Sequence, residues 1–329
     1  MAARRGLDVM ILAAGEGKRM KSPLPKVLLD LLGRPVVAHV IDAARALKPD
    51  RIVIVGGKRL AEIKRALAGE RGLAFAKQPR PLGTAHAVKH GMKALPKRGN
   101  RDVMILNGDG PLVTPESLRR TLSTHRRAKA EVTVISALFD DPSGLGRVVR
   151  DGRGRFERVV EDKDCSPEER TIHEINAGQY VVRLDALTRL IPKIGKSNAQ
   201  GEYYLTDLIG LCGKAAAVPL GDPQEARGLN DPAEFAIVRR MVRERVVQRL
   251  LDEGVEIPAP DLTYVEAGVC VGRGTVLHPF TVIRAGVSIA PRCSVGPFVH
   301  LPPGTSLEEG STVSGTCSTA DLDPIAGAR

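Results

Sequence analysis

The stretch Asp8-Val9-Met10-Ile11-Leu12-Ala13-Ala14-Gly15-Glu16-Gly17-Lys18-Arg19-Met20 decides the fold. Residues 8–12 form a short apolar run that stops at small residues and glycines, the pattern of a buried strand opening into a loop. The alternation continues downstream. Residues 35–47 place Val36, Val37, Val40, Ile41, Ala44 and Leu47 on one helical face. Residues 51–55 read as a strand ending at Gly56-Gly57, 58–67 as a helix and 73–77 as a strand. Residues 84–95 read as a helix with Thr84 as its N-cap. Residues 103–106 form a strand that ends at Asn107-Gly108-Asp109, and 115–128 a helix with Thr114 as cap and Pro115 in the first turn. This order predicts an α/β class: a Rossmann-like, doubly wound, mostly parallel sheet covered by helices. Ligands of such sheets bind beyond the carboxyl ends of the strands. Two of those ends are the loop from Ala13 to Gly17 and the loop from Asn107 to Asp109.

From residue 131 to about 228 the pattern loosens, with strands at 132–138, 146–149, 156–160 and 178–182. Residues 231–253 form one long helix, with Phe235, Val238, Met241, Val242, Val246 and Leu250 at helical spacing. A second regime follows. Counting in sixes from Val265 gives Val271, Leu277, Ile283, Ile289, Val295, Leu301, Leu307 and Val313. Four places after each of the first eight stand Val269, Thr275, Thr281, Val287, Cys293, Val299, Thr305 and Ser311, all small or β-branched. A period of six is neither helix nor simple strand. It predicts a hexapeptide solenoid, a short left-handed parallel β-helix whose aliphatic residues point inward. The expected divisions are 1–228, a connecting helix at 229–253, the solenoid at 254–316 and a tail at 317–329.

Composition narrows the function. The 329 residues carry a net charge of +11 with 43% hydrophobic and 26% charged residues, which excludes wholesale disorder, collagen and coiled coil. No run approaches the ~20 apolar residues of a membrane span. The first apolar run is too short for a signal sequence, and no cleavage site follows it. A cytoplasmic protein with no membrane contact is expected. Residues 261–329 hold four Arg and six Asp or Glu, so an excess of +13 lies on residues 1–260. A basic proteome or a polyanionic substrate would each account for it. Nucleic acid is not expected as a partner: no helix-turn-helix, zinc-finger or RNP-type motif is present, and six Phe, four Tyr and no Trp give few stacking platforms. The five cysteines include no C-x-x-C pair and predict neither a zinc site nor a disulfide framework.

The loop after the first strand has phosphate-binding physics without being a Walker or dinucleotide motif. Small residues leave backbone N–H groups open to an anion. Arg19 and Lys26 add charge, and Pro25 fixes the backbone before Lys26. Asp109, at a strand's carboxyl end, suits Mg²⁺, which prefers oxygen ligands and keeps several waters. It would equally suit a turn.

Together, Leu12 to Met20 with Pro25-Lys26, Gln78 with Leu82-Gly83-Thr84-Ala85-His86-Ala87, and Gly108-Asp109 resemble the nucleotide–sugar pyrophosphorylases. Asp140-Asp141-Pro142-Ser143-Gly144-Leu145-Gly146-Arg147, Val160-Glu161-Asp162-Lys163-Asp164, Glu174-Ile175-Asn176-Ala177-Gly178, residues 198–207 and Leu229-Asn230 narrow the likeness. The set is similar to the uridylyltransferase half of the bifunctional N-acetylglucosamine-1-phosphate uridylyltransferase/glucosamine-1-phosphate acetyltransferase family, over roughly residues 8–313. The resemblance implies that Ala13, Ala14 and Gly15 meet the nucleotide, with Arg19 and Lys26 on its phosphates. Gln78 would read uracil, with Gly83 and Thr84 beside the base. Asp109 and Asn230 would hold Mg²⁺, and Gly146, Glu161 and Asn176 the N-acetyl sugar. Asn107 would lie near that sugar, where the family often has Tyr. Without the resemblance, Gln78 is an exposed polar residue, Glu161 one carboxylate in a charged loop, and Asn176 and Asn230 turn or cap residues. His86 reads as a helix-packing histidine. Thr206 and Asp207 read as ordering a helix start at the edge of the sugar pocket.

The implied reaction joins UTP and N-acetylglucosamine-1-phosphate into UDP-N-acetylglucosamine and pyrophosphate, with no general base. Pro81 stands where the family often has Gln, and Ala177 where it often has Thr. A different sugar phosphate, such as glucose-1-phosphate, is the alternative substrate, and a catalytically silent hexapeptide assembly protein the alternative class. The repeat stops near Val313, and Pro302 aligns with the substrate-binding Arg of the family's acetyltransferase. Acetyltransferase activity is therefore expected to be absent. The solenoid is expected to assemble a homotrimer.

Overall fold

A strand buried on both faces is predominantly apolar. Val9-Met10-Ile11-Leu12 meet that condition, and the strand extends at both ends into β1 (Gly6–Ala13), with Asp8 buried at its start. The structure, a computed structural model, describes residues 5–15 and 17–315; the expected tail lies outside them. In chain order the strands are β1, a two-residue ribbon β2 (Asp30–Leu31) and β3 (Arg34–Pro35), β4 (Arg51–Gly56), β5 (Leu73–Lys77), β6 (Arg101–Asn107), β7 (Val132–Leu138), β8 (Arg147–Arg150), β9 (Phe156–Val160), β10 (Glu174–Arg183) and β11 (Ala215–Pro219). Two units emerge. The first holds the described residues up to Leu29 and Pro35–Val238; the second holds Asp30–Arg34 and the described residues from Arg239 onward.

The first unit is built on one sheet in the order β11-β7-β10-β6-β1-β4-β5, with β8 paired to both β10 and β9. β1 lies parallel to β4 and β6, and β4 parallel to β5. β10 runs antiparallel to β6, β7 and β8. The sheet is thus mixed, and parallel where β5, β4, β1 and β6 adjoin. Alternation along β1 sends Leu7, Val9, Ile11 and Ala13 into one core, with Val37, Val40 and Ile41 of the helix Val36–Arg45 and Leu118 of the helix Pro115–Ala128. Met10 enters the other core, with Val88 of the helix Thr84–Gly91 and Leu187 of the helix Leu184–Leu190. Helices therefore cover both faces, as the doubly wound reading requires. Thr114 caps Pro115–Ala128 as expected, accepting from Ser117 N–H at 3.2 Å. Buried Glu225 in turn binds Thr114 N–H and Ser117 Oγ, both at 2.8 Å. The expectation for Thr84 is corrected. Gly83 is the N-cap residue, and the Thr84 hydroxyl accepts from Leu205 N–H at 3.0 Å instead.

The long helix is Pro232–Asp252, with Asp231 Oδ1 accepting from the N–H groups of Ala233 and Glu234 at 2.9 Å. Val238, Val242, Val246 and Leu250 are buried, as the spacing predicts. In the second unit, nine short strands form three parallel three-stranded sheets. Thr263–Val265 pairs with Thr281–Ile283, an offset of 18 residues, or three hexapeptides per coil. This is the short β-helix that the period of six predicts. The inward positions are buried from Val265 through Leu301 and half-buried at Leu307 and Val313, in the last described coil. Ala267 N–H donates to Leu32 C=O at 3.0 Å, which ties the Asp30–Arg34 excursion to this unit. Among the described residues, no helix is long and apolar enough to cross a membrane.

At the amino-terminal edge of the large sheet, two carboxylates are fully buried. Arg101 grips Asp8 with Nε at 2.6 Å and Nη2 at 2.9 Å. Arg126 Nε reaches Asp102 at 2.8 Å, with Arg5 and His125 each 3.4 Å from Oδ1. Burial alone would raise the Asp102 carboxyl, but the His125 ring facing it and the Arg126 hydrogen bond outweigh burial and hold it below the usual carboxylate range. Its stabilising effect is therefore full above that range and fades as pH falls through the depressed value. Asp102→Asn should cost ~2–3 kcal/mol near neutral pH, less than a fully buried pair because both arginines reach water. Urea unfolding followed by circular dichroism measures it; an unchanged midpoint would mean that this network does not stabilise the fold.

Candidate active site

Parallel pairing brings the ends of β1 and β6 out at the same edge, with Leu12 opposite Asn107. Gly108 N–H donates to Leu12 C=O at 2.8 Å and so fastens one loop to the other. Lys26 opens a short turn after buried Pro25, and its ammonium makes an ion pair with the Asp109 carboxylate. Gly17 is glycine for a spatial reason: its φ is +62°, and a Cβ there would lie 3.0 Å from Lys26 Cβ.

Two cavities adjoin this pair. One, of about 330 Å³, is lined by Ala13, Ala14, Gly15, Lys26, Gln78, Gly83 and Thr84 among others. The second, of about 250 Å³, is lined by Gly146, Glu161, Asn176, Gly178, Gln179 and Asn230 among others. Leu12, Thr84, Asn107 and Asp109 line both.

Around the first cavity, Gln78 is buried rather than exposed. Its Nε2 donates to Gly83 C=O at 3.1 Å and meets His86 Nδ1 at 3.1 Å, so Oε1 is the end it can offer a ligand. His86 packs, as expected: its ring stacks on Tyr203 at 6.1 Å and stands edge-on to His90 at 4.6 Å. Burial lowers its pKa. Gly83, with φ +106°, leaves no room for a side chain, since a Cβ would lie 2.5 Å from Tyr203 O.

Around the second cavity, the Thr206 hydroxyl donates to Glu161 Oε1 at 3.1 Å. Burial pushes the Glu161 carboxyl up, and the charges of Asp164 and Asp207 push it further. Asn176 Nδ2 donates to Tyr180 Oη at 2.7 Å, and its Oδ1 accepts from Gly178 N–H at 3.0 Å. Its own N–H donates to Gly146 C=O at 2.8 Å. Gly178, with φ +71°, sits where a Cβ would press on Asn107 Nδ2 at 2.5 Å.

Arg19 is exposed and lines neither cavity. Its Nη2 donates to Asn230 Oδ1 at 3.3 Å. No cluster of three or more His, Cys, Asp or Glu fit for a metal exists among the described residues. Asp109 and Asn230 line the same cavity, and Mg²⁺ is commonly held by one or two protein oxygens completed by water and phosphate. This donor set fits it. The residues that sequence reasoning missed are Gln179, Tyr180 and the Leu205 N–H. One signal was available: Asn-Ala-Gly inside a strand marks a bulge, and the β10–β7 register shifts between Asn176 and Tyr180.

Residues 9–179 match the MobA-like NTP transferase domain. The chain is 39% identical to the bifunctional protein GlmU of Trichlorobacter lovleyi, over 91% of this chain and 73% of the relative. It is 40% identical to that of Geobacter metallireducens, over 94% of this chain and 63% of the relative. It is 39% identical to that of Caldanaerobacter subterraneus subsp. tengcongensis, over 90% and 65%. The chain thus spans about two thirds of the length of these relatives.

Gly83→Ala should destabilise the protein by at least ~1–3 kcal/mol through the strained backbone. It should also open the loop from the Tyr203 strip and abolish thermal protection by nucleoside triphosphate. Differential scanning fluorimetry with and without nucleotide reads both; retained protection would mean that the Gly83–Tyr203 contact does not shape the cavity.

Proposed function

The chain belongs to the GlmU family of proteins carrying a MobA-like NTP transferase domain, and on that premise we propose that it transfers uridylyl from UTP to N-acetylglucosamine-1-phosphate. The observation that carries this reading is the pair of cavities sharing Asp109, with Lys26 ion-paired to it at their junction. One cavity takes the nucleoside triphosphate, the other the sugar phosphate, and their common wall is where two phosphates meet.

The sugar phosphate oxygen attacks the α-phosphorus in line. A new P–O bond forms as the bond to the β-phosphate bridging oxygen breaks, and pyrophosphate carries away the electron pair. A phosphate dianion is already a competent nucleophile, so no side chain needs to remove a proton. The protein's part is orientation and neutralisation of crowded charge. Lys26 meets the α-phosphate, and the backbone N–H groups from Ala13 to Gly15 face the tail. Arg19, held beside Asn230, answers charge from the solvent side. Asp109 and Asn230 would hold Mg²⁺, which supplies charge neutralisation at the phosphates when bound. Gln78 Oε1 accepts from the base N–H, and Glu161, braced by Thr206, receives sugar hydroxyls.

The solenoid serves assembly rather than acetyl transfer. Pro302, exposed just past the strand His300–Leu301, offers neither charge nor donor to a substrate. Leu262, Phe280 and Phe298 stand 18 residues apart, one per coil, and are 50%, 50% and 56% exposed. The rings of Phe280 and Phe298 stack at 5.1 Å. A continuous exposed apolar stripe of this kind favours self-association, and we take a homotrimer as its product.

Pyrophosphate release from UTP should be fastest with N-acetylglucosamine-1-phosphate in a panel that includes glucose-1-phosphate. It should stop on chelation and return with added Mg²⁺. Lys26→Ala and Asp109→Ala should each lower kcat ~10²–10³-fold with the fold intact; near-normal turnover in both would defeat the assignment. Acetyl-CoA with glucosamine-1-phosphate should give no product. Light scattering should report a trimer that dissociates in a Phe280→Asp, Phe298→Asp variant; a wild-type monomer would remove the assembly role.

A further inference from the structure

We propose that Gln179 is the residue that selects the sugar, its buried amide taking an uncharged hydrogen-bonding substituent of the pyranose, a hydroxyl or an amide N–H. This rests on the second cavity being the sugar site, as proposed above. Most polar groups on that cavity's wall are already engaged. Both ends of the Asn176 amide are taken by Tyr180 and Gly178, and Glu161 Oε1 by Thr206.

Gln179 is different. It lines the same cavity and is 2% exposed, yet among the described residues its Oε1 has no hydrogen-bond partner. Among the described residues, its Nε2 makes no hydrogen bond either, and lies 3.7 Å from where a Cβ on Gly110 would sit, beside the Asp109 loop. Its neighbours along β10 on the same parity, Ile175, Ala177 and Val181, all belong to one apolar core. A leucine there would continue that core. An amide costs stability, because a buried polar group without a partner loses its water and gains nothing. The register shift between Asn176 and Tyr180 frees this stretch from regular pairing to β7 and sets the amide at the cavity wall.

A neutral amide carries both donor and acceptor, so it suits hydroxyl and acetamido groups and not the phosphate. A site that keeps such a group unpaired until the ligand arrives discriminates strongly against ligands that cannot pair it. The stability lost in the free protein becomes selectivity in the complex.

Gln179→Leu and Gln179→Met test this. Each should raise KM for the sugar phosphate ~10–100-fold. KM for UTP should stay unchanged, and Tm should rise because the unpaired amide is gone. The preference for N-acetylglucosamine-1-phosphate over deoxy analogues should narrow in both. An unchanged KM for the sugar phosphate, or a fall in Tm with both KM values rising together, would overturn the proposal and mark Gln179 as structural. Titration calorimetry of the sugar phosphate against wild-type protein separates the two readings. If wild type binds and turns over while the variants match it, this proposal falls alone; if wild type binds no sugar phosphate, the proposed function falls with it.

Discussion

The pairing of β1 with β6 is the constraint on which the site depends. Parallel strands in adjacent positions release their loops at one edge, and the register sets Leu12 beside Asn107. The bond from Gly108 N–H to Leu12 C=O then holds the two loops together, and the Lys26–Asp109 ion pair spans them. A glycine-lined loop alone would be a turn. A lone aspartate after a strand would be one more turn former. Their juxtaposition sets an ion pair at the wall that two cavities share.

The rest of the first unit supports that edge from both sides. Each face of the sheet is covered by helices whose small residues allow close approach. Gly91, for instance, packs so tightly on Met10 and Val55 that a Cβ there would lie 2.5 Å from Met10 Sδ. The opposite edge is closed by buried carboxylates under arginines. Stability is thereby concentrated in the core and the far edge. At the edge that carries the two cavities, the chain keeps groups whose needs the described residues do not fully meet, such as the Gln179 amide and the Glu161 carboxyl raised by burial. Functional edges of α/β sheets commonly carry this tension between stability and activity.

Much of the architecture was legible because it repeats. β5 and β7 match their predicted bounds, as does the helix Pro115–Ala128, since apolar runs and a Thr-Pro start are local signals. The solenoid was more legible still, since a period of six admits few other structures. Other features were hidden by non-local causes. Thr84 looked like a cap because the rule considers only the residues that follow; Leu205, more than a hundred residues away, claims its hydroxyl. Gln78 looked exposed because a glutamine between a strand and a loop usually is. The Gly83–Thr84 loop and His86 enclose it.

The layered sheet, the glycine-rich loop, the repeat and the residues that resemble a nucleotidyltransferase could all be read from the amino-acid order, because each is written in periodicity or in a contiguous motif. Which polar groups are spent on one another, and which are left unpaired among the described residues, emerges only from the folded arrangement. Asn176 is satisfied by Tyr180 and Gly178, while Gln179, three residues farther along the same strand, is not. The physical reason is that hydrogen-bond satisfaction depends on atoms meeting within about 3 Å across the fold. No spacing along the chain encodes that.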